Sequence, residues 1–294
     1  MSSLFRPKRI LLATDFLESS RLALDFAVGF AHHYKSELIF LHIFHLPQAA
    51  AEAEALDGPS ISRLNREERL QILAAGVRRL GIDVNWRLEE GWMPGSLLER
   101  IREIAPDLLV LGTHGVRAGL EHMLIGSNAE EVLLSAPCPT LTVGRHVPAG
   151  VSPNISFTHI LYITDLTPES AVAAPYAVAL SEEFHAQLDV CHFLDGQVSD
   201  DVEAQHQLAD KYCEAVGRVL PNGEPFWCSS REQLDRGANA DAILKRAVKD
   251  TGGLVVLGVK AESHFGLRLH TSMAYQLVAR AACPVFTAGA RKAQ

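Results

Sequence analysis

The chain has 294 residues, a formal net charge of −8 and an apolar fraction of 48%, which suits two α/β domains and is too long for one small domain. Because the charge is negative and Lys and Arg form no long runs, a nucleic-acid-binding protein is not expected. No apolar stretch approaches the roughly 20 residues of a membrane span. The apolar run after Arg9 ends at Asp15, too short for a signal peptide, so we expect a cytoplasmic protein.

In the first half of the chain, short apolar runs alternate with segments of helical periodicity. This pattern is typical of a parallel sheet with helices on both faces. The predicted strands are residues 9–14, 37–44, 82–88, 108–111 and 140–143. Helices are predicted to begin at Ser19 or Ser20, at Ser60, at Ser96 and after Gly126.

The pattern starts again after residues 146–156, whose composition is that of a linker. Residues 160–165 repeat residues 10–15 at an offset of 150, and Ser170 matches Ser20 at the same offset. An internal duplication explains this repeat. We therefore predict an N-terminal domain over residues 1–146 and a C-terminal domain over residues 157–294. The second domain is predicted to have strands at residues 159–164, 187–193, 225–229, 254–257 and 285–288.

A glycine-containing loop follows the strand 108–111. It reads Gly112-Thr113-His114-Gly115, then ten residues, then Gly126-Ser127-Asn128 at the start of a helical segment. In open α/β sheets, ligands bind beyond the carboxyl ends of the strands. Glycines let a phosphate approach the backbone, and a helix start offers unpaired N–H groups. The loop therefore indicates either a nucleotide phosphate site or a crossover turn that is merely shaped by its glycines.

Other chemistry-bearing patterns are weak. Gly-x-x-x-x-Gly-Lys-Ser/Thr and Gly-x-Gly-x-x-Gly are both absent, so neither a P-loop nor a dinucleotide site is indicated. The five cysteines show no Cys-x-x-Cys spacing, and buried thiols are expected. The thirteen histidines form no metal-ligand pattern; His42 is expected to be a satisfied strand-end residue, and His114 lacks a partner carboxylate for a general base. Arg66 and Arg69 are interpreted as part of the solvated face of a helix.

Four stretches together point to a family. Residues 10–16 read Ile-Leu-Leu-Ala-Thr-Asp-Phe, residues 38–43 read Leu-Ile-Phe-Leu-His-Ile, the glycine loop follows, and residues 136–143 read Ala-Pro-Cys-Pro-Thr-Leu-Thr-Val. In this order they resemble the universal stress protein family, as a tandem chain with two such domains. The resemblance implies two doubly wound, five-stranded parallel sheets of strand order 3-2-1-4-5. This α/β fold is Rossmann-like and similar to that of the adenine nucleotide alpha hydrolases.

The resemblance to the ATP-binding branch of this family also implies a ligand and its contacts. The ligand is ATP or another adenine nucleotide, with Mg²⁺ as a candidate companion. Asp15 is expected to meet the adenosine portion, with Ala13 and Thr14 bordering it, and Ile43 to meet adenine through its backbone. The residues expected to line the ribose and phosphates are Leu111, Gly112, Gly115, Gly126, Ser127 and Asn128.

The two copies depart from the family pattern to different degrees. In the first copy, ten residues rather than nine separate Gly115 from Gly126, an insertion that a loop generally tolerates. In the second copy Gly258 remains, but Ala261 and His270 replace the other two glycines. A side chain where phosphate must approach the backbone blocks it, so the second site is expected to be degenerate. Asp165 is then interpreted as a turn residue.

These observations lead to one hypothesis and one alternative. The hypothesis is a cytoplasmic stress-response protein in which an adenine nucleotide, bound in the first domain, acts as a regulatory ligand. No catalytic set is evident, so at most slow ATP hydrolysis is expected. The two domains are expected to pair through residues 140–143 and 285–288, with a homodimer and unnamed protein partners as further candidates. The alternative is a nucleotide-free interaction scaffold, which the ten-residue loop favours.

Overall fold

The computed structural model describes residues 5–46, 61–113, 127–148, 154–164, 167–193, 230–235, 245, 252–259 and 273–289. The strands are β1 Arg9–Ala13, β2 Glu37–Phe44, β3 Val84–Glu90, β4 Leu108–Gly112, β5 Thr140–Val143, β6 His159–Thr164, β7 Gln187–Phe193, β8 Ser230–Asp235, β9 Gly253–Val259 and β10 Val285–Gly289. The helices are α1 Glu18–Tyr34, α2 Ile61–Arg78, α3 Gly95–Ile104, α4 Ser127–Ser135, α5 Pro168–Ala171, α6 Ala174–Phe184 and α7 Met273–Arg280.

The ten strands form one continuous sheet in the order β3-β2-β1-β4-β5-β10-β9-β6-β7-β8. Within each half every strand pair is parallel, which confirms the α/β class. The halves join where β5 and β10 pair antiparallel, with Phe286 opposite Leu141. The predicted pairing of the last strands is therefore confirmed, and it merges the two expected five-stranded sheets into one.

The hydrophobic core is continuous on one face of the sheet and is divided into two clusters on the other. On the face covered by α1, α2 and α6, one hydrophobic cluster runs across both halves, from Phe40 to Tyr162 and Phe286. On the other face, α3 and α4 cover a cluster in the first half, and α7 covers a separate cluster in the second. Leu133 of α4 belongs to the second-half cluster, so this helix packs on both halves.

Contacts between α1 and α6 add to the junction. Phe30 packs edge-on against Phe184 with ring centroids 6.2 Å apart, and His33 Nε2 lies 2.9 Å from Glu183 Oε1. Phe5 packs edge-on against Phe286 at 5.5 Å. The two halves are thus held by a strand pair and by aromatic packing on one face.

The first helix of each half differs in continuity. α1 is unbroken over its 17 residues and is followed by Lys35 in the left-handed conformation. The matching segment of the second half is split into α5 and α6, because Pro175 has no N–H to donate and its ring crowds the carbonyl of the preceding turn.

Several predicted boundaries were wrong. Ser19 and Ser20 do not cap α1: the helix begins at Glu18, and Leu17 at the cap position makes no side-chain bond. β3 lies two residues later than predicted, because Glu89 and Glu90 at an outer strand still pair with β2. β8 lies at Ser230–Asp235, beyond the predicted residues 225–229, which fall outside the described ranges. An outer strand needs few apolar residues, so an apolar run was a poor guide to it.

Other sequence expectations agree with the structure. Gly81, with φ of +79°, follows the end of α2 as a left-handed stop. Cys138, Cys191 and Cys283 are buried thiols, and burial raises the pKa of Cys283 to about 12. No helix in the described ranges is long and apolar enough to cross a membrane.

Candidate functional site

The strand order places a crevice at the carboxyl ends of β1 and β4. From β1 the chain crosses to β2 on one side, and from β3 it crosses to β4 on the other, so the connections diverge between these neighbours. Open α/β sheets bind ligands at such a point. Asp15 lies just beyond β1 and Thr113 just beyond β4. The predicted site residues of the first half therefore meet at one edge of the sheet, as far as the structure describes them.

Asp15 is exposed, and one of its carboxylate oxygens is anchored. Its Oδ1 accepts from the Ser20 hydroxyl at 2.5 Å and from the Leu17 N–H at 2.9 Å. The Asp15 N–H in turn donates to Ser20 Oγ at 3.2 Å. Within the described part of the chain, Oδ2 receives no hydrogen bond. The carboxylate is thus oriented by its own turn and by buried Ser20, with one oxygen available to a ligand hydroxyl.

Thr14 and His42 form a buried contact beneath this turn. His42 is buried, and its Nδ1 lies 2.6 Å from the Thr14 carbonyl oxygen. Because a carbonyl only accepts, Nδ1 carries the proton. Burial lowers the pKa of His42, Arg66 lowers it further, and the Thr14 carbonyl opposes the shift. His42 is therefore a neutral residue that fixes the end of β1, as expected from the sequence.

Phe16 connects this turn to α2. It adopts a left-handed conformation with φ of +63°, an uncommon state for a bulky residue. Its ring lies 4.5 Å from that of His42, and the Arg69 guanidinium covers it at 4.3 Å. The Arg66 guanidinium lies 4.9 Å from the Phe44 ring centroid. Both guanidiniums thus lie over aromatic rings. The interpretation of this helix face as solvated holds for Arg69, which is exposed, while Arg66 is half-buried.

Gly112 is needed for packing whether or not a ligand binds. A Cβ at this position would lie 2.7 Å from the carbonyl carbon and 2.7 Å from the hydroxyl of Ser19 in α1. The absence of a side chain lets the first turn of α1 pack directly on the end of β4. Gly258 has the same role in the second half, where a Cβ would lie 2.5 Å from the Cα of Ser170.

Ile43 lies one residue before the end of β2, on the other side of β1. The Leu41 carbonyl accepts from the Thr14 N–H at 3.0 Å, and the Phe44 carbonyl accepts from the Gly91 N–H at 2.9 Å. Because peptide groups alternate in direction along a strand, those of Ile43 point to the side of β1. There the ladder to β1 has already ended at Ala13. The backbone of Ile43 is thus turned towards the space beyond Asp15.

The structure locates only part of the predicted loop. Ala13 and Ile43 are half-buried, Leu111 is buried, and Thr14 is buried beneath the turn. α4 begins at Ser127, which agrees with the predicted helix start, although the side chains of Ser127 and Asn128 are not described. The residues that lie outside the described ranges are His114, Gly115, Gly126, Asp165, Ala261, His270 and Thr271.

The corresponding edge of the second half has different polar contacts. The Thr164 hydroxyl lies 2.8 Å from the Ser170 hydroxyl, and the Tyr162 hydroxyl donates to the Ser170 carbonyl at 3.1 Å. At the position of Tyr162 the first half has Leu12. Ser170 is thus bonded to two strand residues and to Thr167 of its own turn, whereas its counterpart Ser20 is bonded to an exposed carboxylate.

Sequence reasoning missed two features of this edge. The anchoring role of Ser20 was hidden because we interpreted it as a helix cap. The exposed Trp92, whose ring lies tilted against that of His45, was not singled out, although an aromatic residue after Gly91 at a strand end is a visible signal. In the ranges that the structure covers, no three His, Cys, Asp or Glu side chains are grouped so as to hold a metal ion.

Comparisons with known proteins agree on one family. A model of the universal stress protein family matches residues 7–144 and again residues 156–288. A universal stress protein of Methanocaldococcus jannaschii is 30% identical over 143 residues, which are 47% of this chain and 82% of that protein.

Solved structures match over nearly the whole length. A universal stress protein from Archaeoglobus fulgidus covers 97% of this chain and 99% of its own, with a TM-score of 0.66 and 18% identity. A functionally unknown protein from Pseudomonas aeruginosa covers 97% of this chain and 92% of its own, with a TM-score of 0.59 and 15% identity. These two structures therefore share the fold of both halves in one chain.

Proposed function

The chain belongs to the universal stress protein family as a tandem member, and on that premise we propose that its first half binds ATP or another adenine nucleotide as a regulatory ligand. The observation that carries this proposal is the Asp15 carboxylate. It is exposed at the divergence of the chain between β1 and β4, with Oδ1 held by Ser20 and Leu17. A carboxylate oxygen in this position suits the hydroxyls of a ribose.

The surroundings of Asp15 fit the remaining parts of a nucleotide. The backbone of Ile43 faces the same space and offers an amide and a carbonyl to a base. α4 begins at Ser127, so its N-terminal amides lie within the chain segment that follows β4, and such amides favour phosphate. A Mg²⁺ ion accompanying the nucleotide would be held chiefly by the phosphates themselves.

A direct test is to denature the purified full-length chain and to analyse the supernatant for released adenine nucleotide by chromatography. The nucleotide-free chain is then titrated with ATP by calorimetry. Asp15→Asn retains the Oδ1 acceptor of the turn but removes the charge, and it is expected to weaken ATP binding about 10- to 100-fold. The matched control is Asp165→Asn in the second half, which is expected to leave the affinity unchanged.

Two results would contradict the proposal. The first is that neither the isolated chain nor the titrated chain binds an adenine nucleotide. The second is that Asp165→Asn weakens binding as much as Asp15→Asn, which would place the ligand elsewhere. A further variant, Gly126→Asp, tests the glycine pair: it is expected to abolish the thermal stabilisation by ATP that the unmodified chain shows.

A nucleotide-free scaffold is the second candidate. The observation that favours it is the packing of Gly112 on Ser19, which accounts for this glycine without a ligand. The ten-residue spacing between Gly115 and Gly126 favours it as well. Under this alternative, ATP produces no thermal shift, and the folded state depends on packing alone. A homodimer, protein partners and a cytoplasmic stress-response role remain predictions under both candidates.

A further inference from the structure

The loop between β3 and α3 carries an exposed aromatic pair. Trp92 is 70% exposed, the highest fraction of any large apolar side chain in the described ranges. The imidazole of His45, which follows β2, lies against it with ring centroids 3.6 Å apart. His45 therefore covers one face of the indole, and the remaining surface of Trp92 lies open to solvent. Leaving so much apolar area exposed is unfavourable unless something else covers it.

The backbone of this loop is held in place. The Gly91 N–H donates to the Phe44 carbonyl at 2.9 Å, and the Ser96 N–H donates to the Trp92 carbonyl at 3.0 Å. A Cβ on Gly91 would lie 2.2 Å from Ser96 Oγ and 2.7 Å from Ser96 Cβ. Glycine at residue 91 is thus required for the loop to turn this tightly. The position of Trp92 is accordingly set by the fold.

The loop lies on the same face of the sheet as the side chains of Ala13 and Ile43. Ala13 and Ile43 pack against the cluster that α3 covers, and residues 91–94 lead directly into α3. A Cβ on Gly91 would lie 3.7 Å from Ile43 Cγ2. Gly91, the residue before Trp92, therefore lies close to the side chain of Ile43, whose backbone points to the space beyond Asp15.

We propose that Trp92, backed by His45, is the stacking platform for the purine base of the bound nucleotide. This inference rests on the proposed function, because it assigns a part of the same site. An indole offers a large flat surface to a planar base, and base–aromatic stacking is worth about 1–3 kcal/mol. The platform gives the first half a preference for purine over pyrimidine nucleotides, since the larger ring system covers more of the indole.

The test compares Trp92→Leu, which removes the ring, with Trp92→Phe, which retains a smaller one. Calorimetric titration with ATP is expected to show Kd raised about 5- to 100-fold in the leucine variant and less in the phenylalanine variant. The ratio of CTP Kd to ATP Kd is expected to fall in the leucine variant. Trp86→Phe, on the half-buried tryptophan of β3, is the matched control and is expected to leave both values unchanged.

Intrinsic fluorescence provides an independent readout. ATP is expected to quench tryptophan emission in the unmodified chain and in Trp86→Phe, and to lose most of this effect in Trp92→Phe. Equal ATP affinity and equal nucleotide preference in Trp92→Leu and the unmodified chain would overturn the inference while leaving the proposed function intact. Failure of the unmodified chain to bind ATP would overturn both.

Discussion

The sheet edges at the carboxyl ends of β1 and β6, one in each half, have the same backbone arrangement but different polar contacts. In both halves a glycine at the end of the fourth strand lets the first helix approach closely. In the first half Ser20 bonds the exposed carboxylate of Asp15. In the second half Ser170 bonds Thr164 and, through its carbonyl, Tyr162. The duplicated serine therefore orients an exposed carboxylate in one copy, and bonds a buried strand residue and its own turn in the other.

This comparison separates residues that maintain the fold from residues that a ligand would need. The glycine contact is common to both halves, so it belongs to packing. The oriented Asp15 carboxylate is observed in the first half, and Tyr162, which bonds the Ser170 carbonyl, belongs to the second half. Pro175, which divides α5 from α6, has Asp25 as its counterpart in the unbroken α1.

The largest effect is expected for the contact between a strand glycine and the first helix, which the two halves share. Gly112→Ala and Gly258→Ala each force a Cβ into the backbone of the first helix, against Ser19 and Ser170 respectively. Each is expected to lower the free energy of unfolding by about 3 kcal/mol, as measured by urea denaturation.

The control for this pair is Gly76→Ala. Gly76 lies in α2 with open space around it, and its replacement is expected to stabilise the chain by about 0.5–1 kcal/mol. A large loss for Gly112→Ala alone, with Gly258→Ala neutral, would contradict a common packing role.

The next effect sharpens the difference between the two serines. Ser170→Ala leaves the buried Thr164 hydroxyl without this contact and is expected to cost about 1–2 kcal/mol of unfolding free energy. It should leave ATP affinity unchanged. Ser20→Ala releases Asp15 from its anchor and is expected to raise the ATP Kd roughly three- to tenfold. Calorimetry together with denaturation distinguishes the two, and an equal effect of both variants on ATP binding would refute the division of roles.

A smaller effect concerns Tyr34, whose counterpart in the second half is Phe184. Among the described residues the Tyr34 hydroxyl is buried with no hydrogen-bond partner. Burial, and secondarily Glu183, raise the pKa of this phenol. Tyr34→Phe makes the two halves alike at this position and is expected to stabilise the chain by about 1 kcal/mol. A loss of stability in urea denaturation would show that the hydroxyl has a partner.

The smallest effect is a change in pH dependence caused by His42. Its pKa is lowered in the folded state, so below the ordinary histidine pKa of about 6.5 the unfolded chain binds the proton more readily. Its contribution therefore reduces stability as the pH falls through 6.5 towards the folded-state pKa. Thr14 and Asp15 face the ring from the turn, and Arg66 and Arg69 face it from α2.

His42→Gln is expected to keep a donor near the Thr14 carbonyl but to remove the titration. Urea denaturation at pH 7.5 and at pH 5.5 should therefore show a smaller difference in the variant than in the unmodified chain. Identical differences in the two proteins would mean that His42 titrates normally in the folded state.

Strands with apolar runs and the repeat between halves were predictable from sequence. β2, β5, β6 and β7 have the predicted bounds, because buried parallel strands show continuous apolar runs. The start of α1 was not predictable: Ser19 and Ser20 are of a residue type that caps helices, but Ser19 packs close to Gly112 of β4 and Ser20 bonds the Asp15 carboxylate. Only the tertiary arrangement brings these groups together.

The same reasoning applies to the candidate site. Asp15 and Ile43 could be placed from motif and spacing, because strand ends in a parallel sheet share one edge. The position of Arg69 over Phe16 could not be predicted, since no sequence pattern marks a bulky residue such as Phe16 for the left-handed conformation. The aromatic residue after Gly91 was visible in the sequence, but the contact of Trp92 with His45 was not, because it joins loops after two different strands.

The antiparallel pairing of β5 with β10 determines how the two halves face their surroundings. Because the strands of one half run against those of the other, Asp15 and the end of β6 lie on opposite rims of the sheet. A strand of five residues spans roughly 17 Å, so one small ligand cannot bridge the two places. Any protein that senses occupancy of the first half would dock from a single direction, leaving the far rim exposed for unrelated contacts.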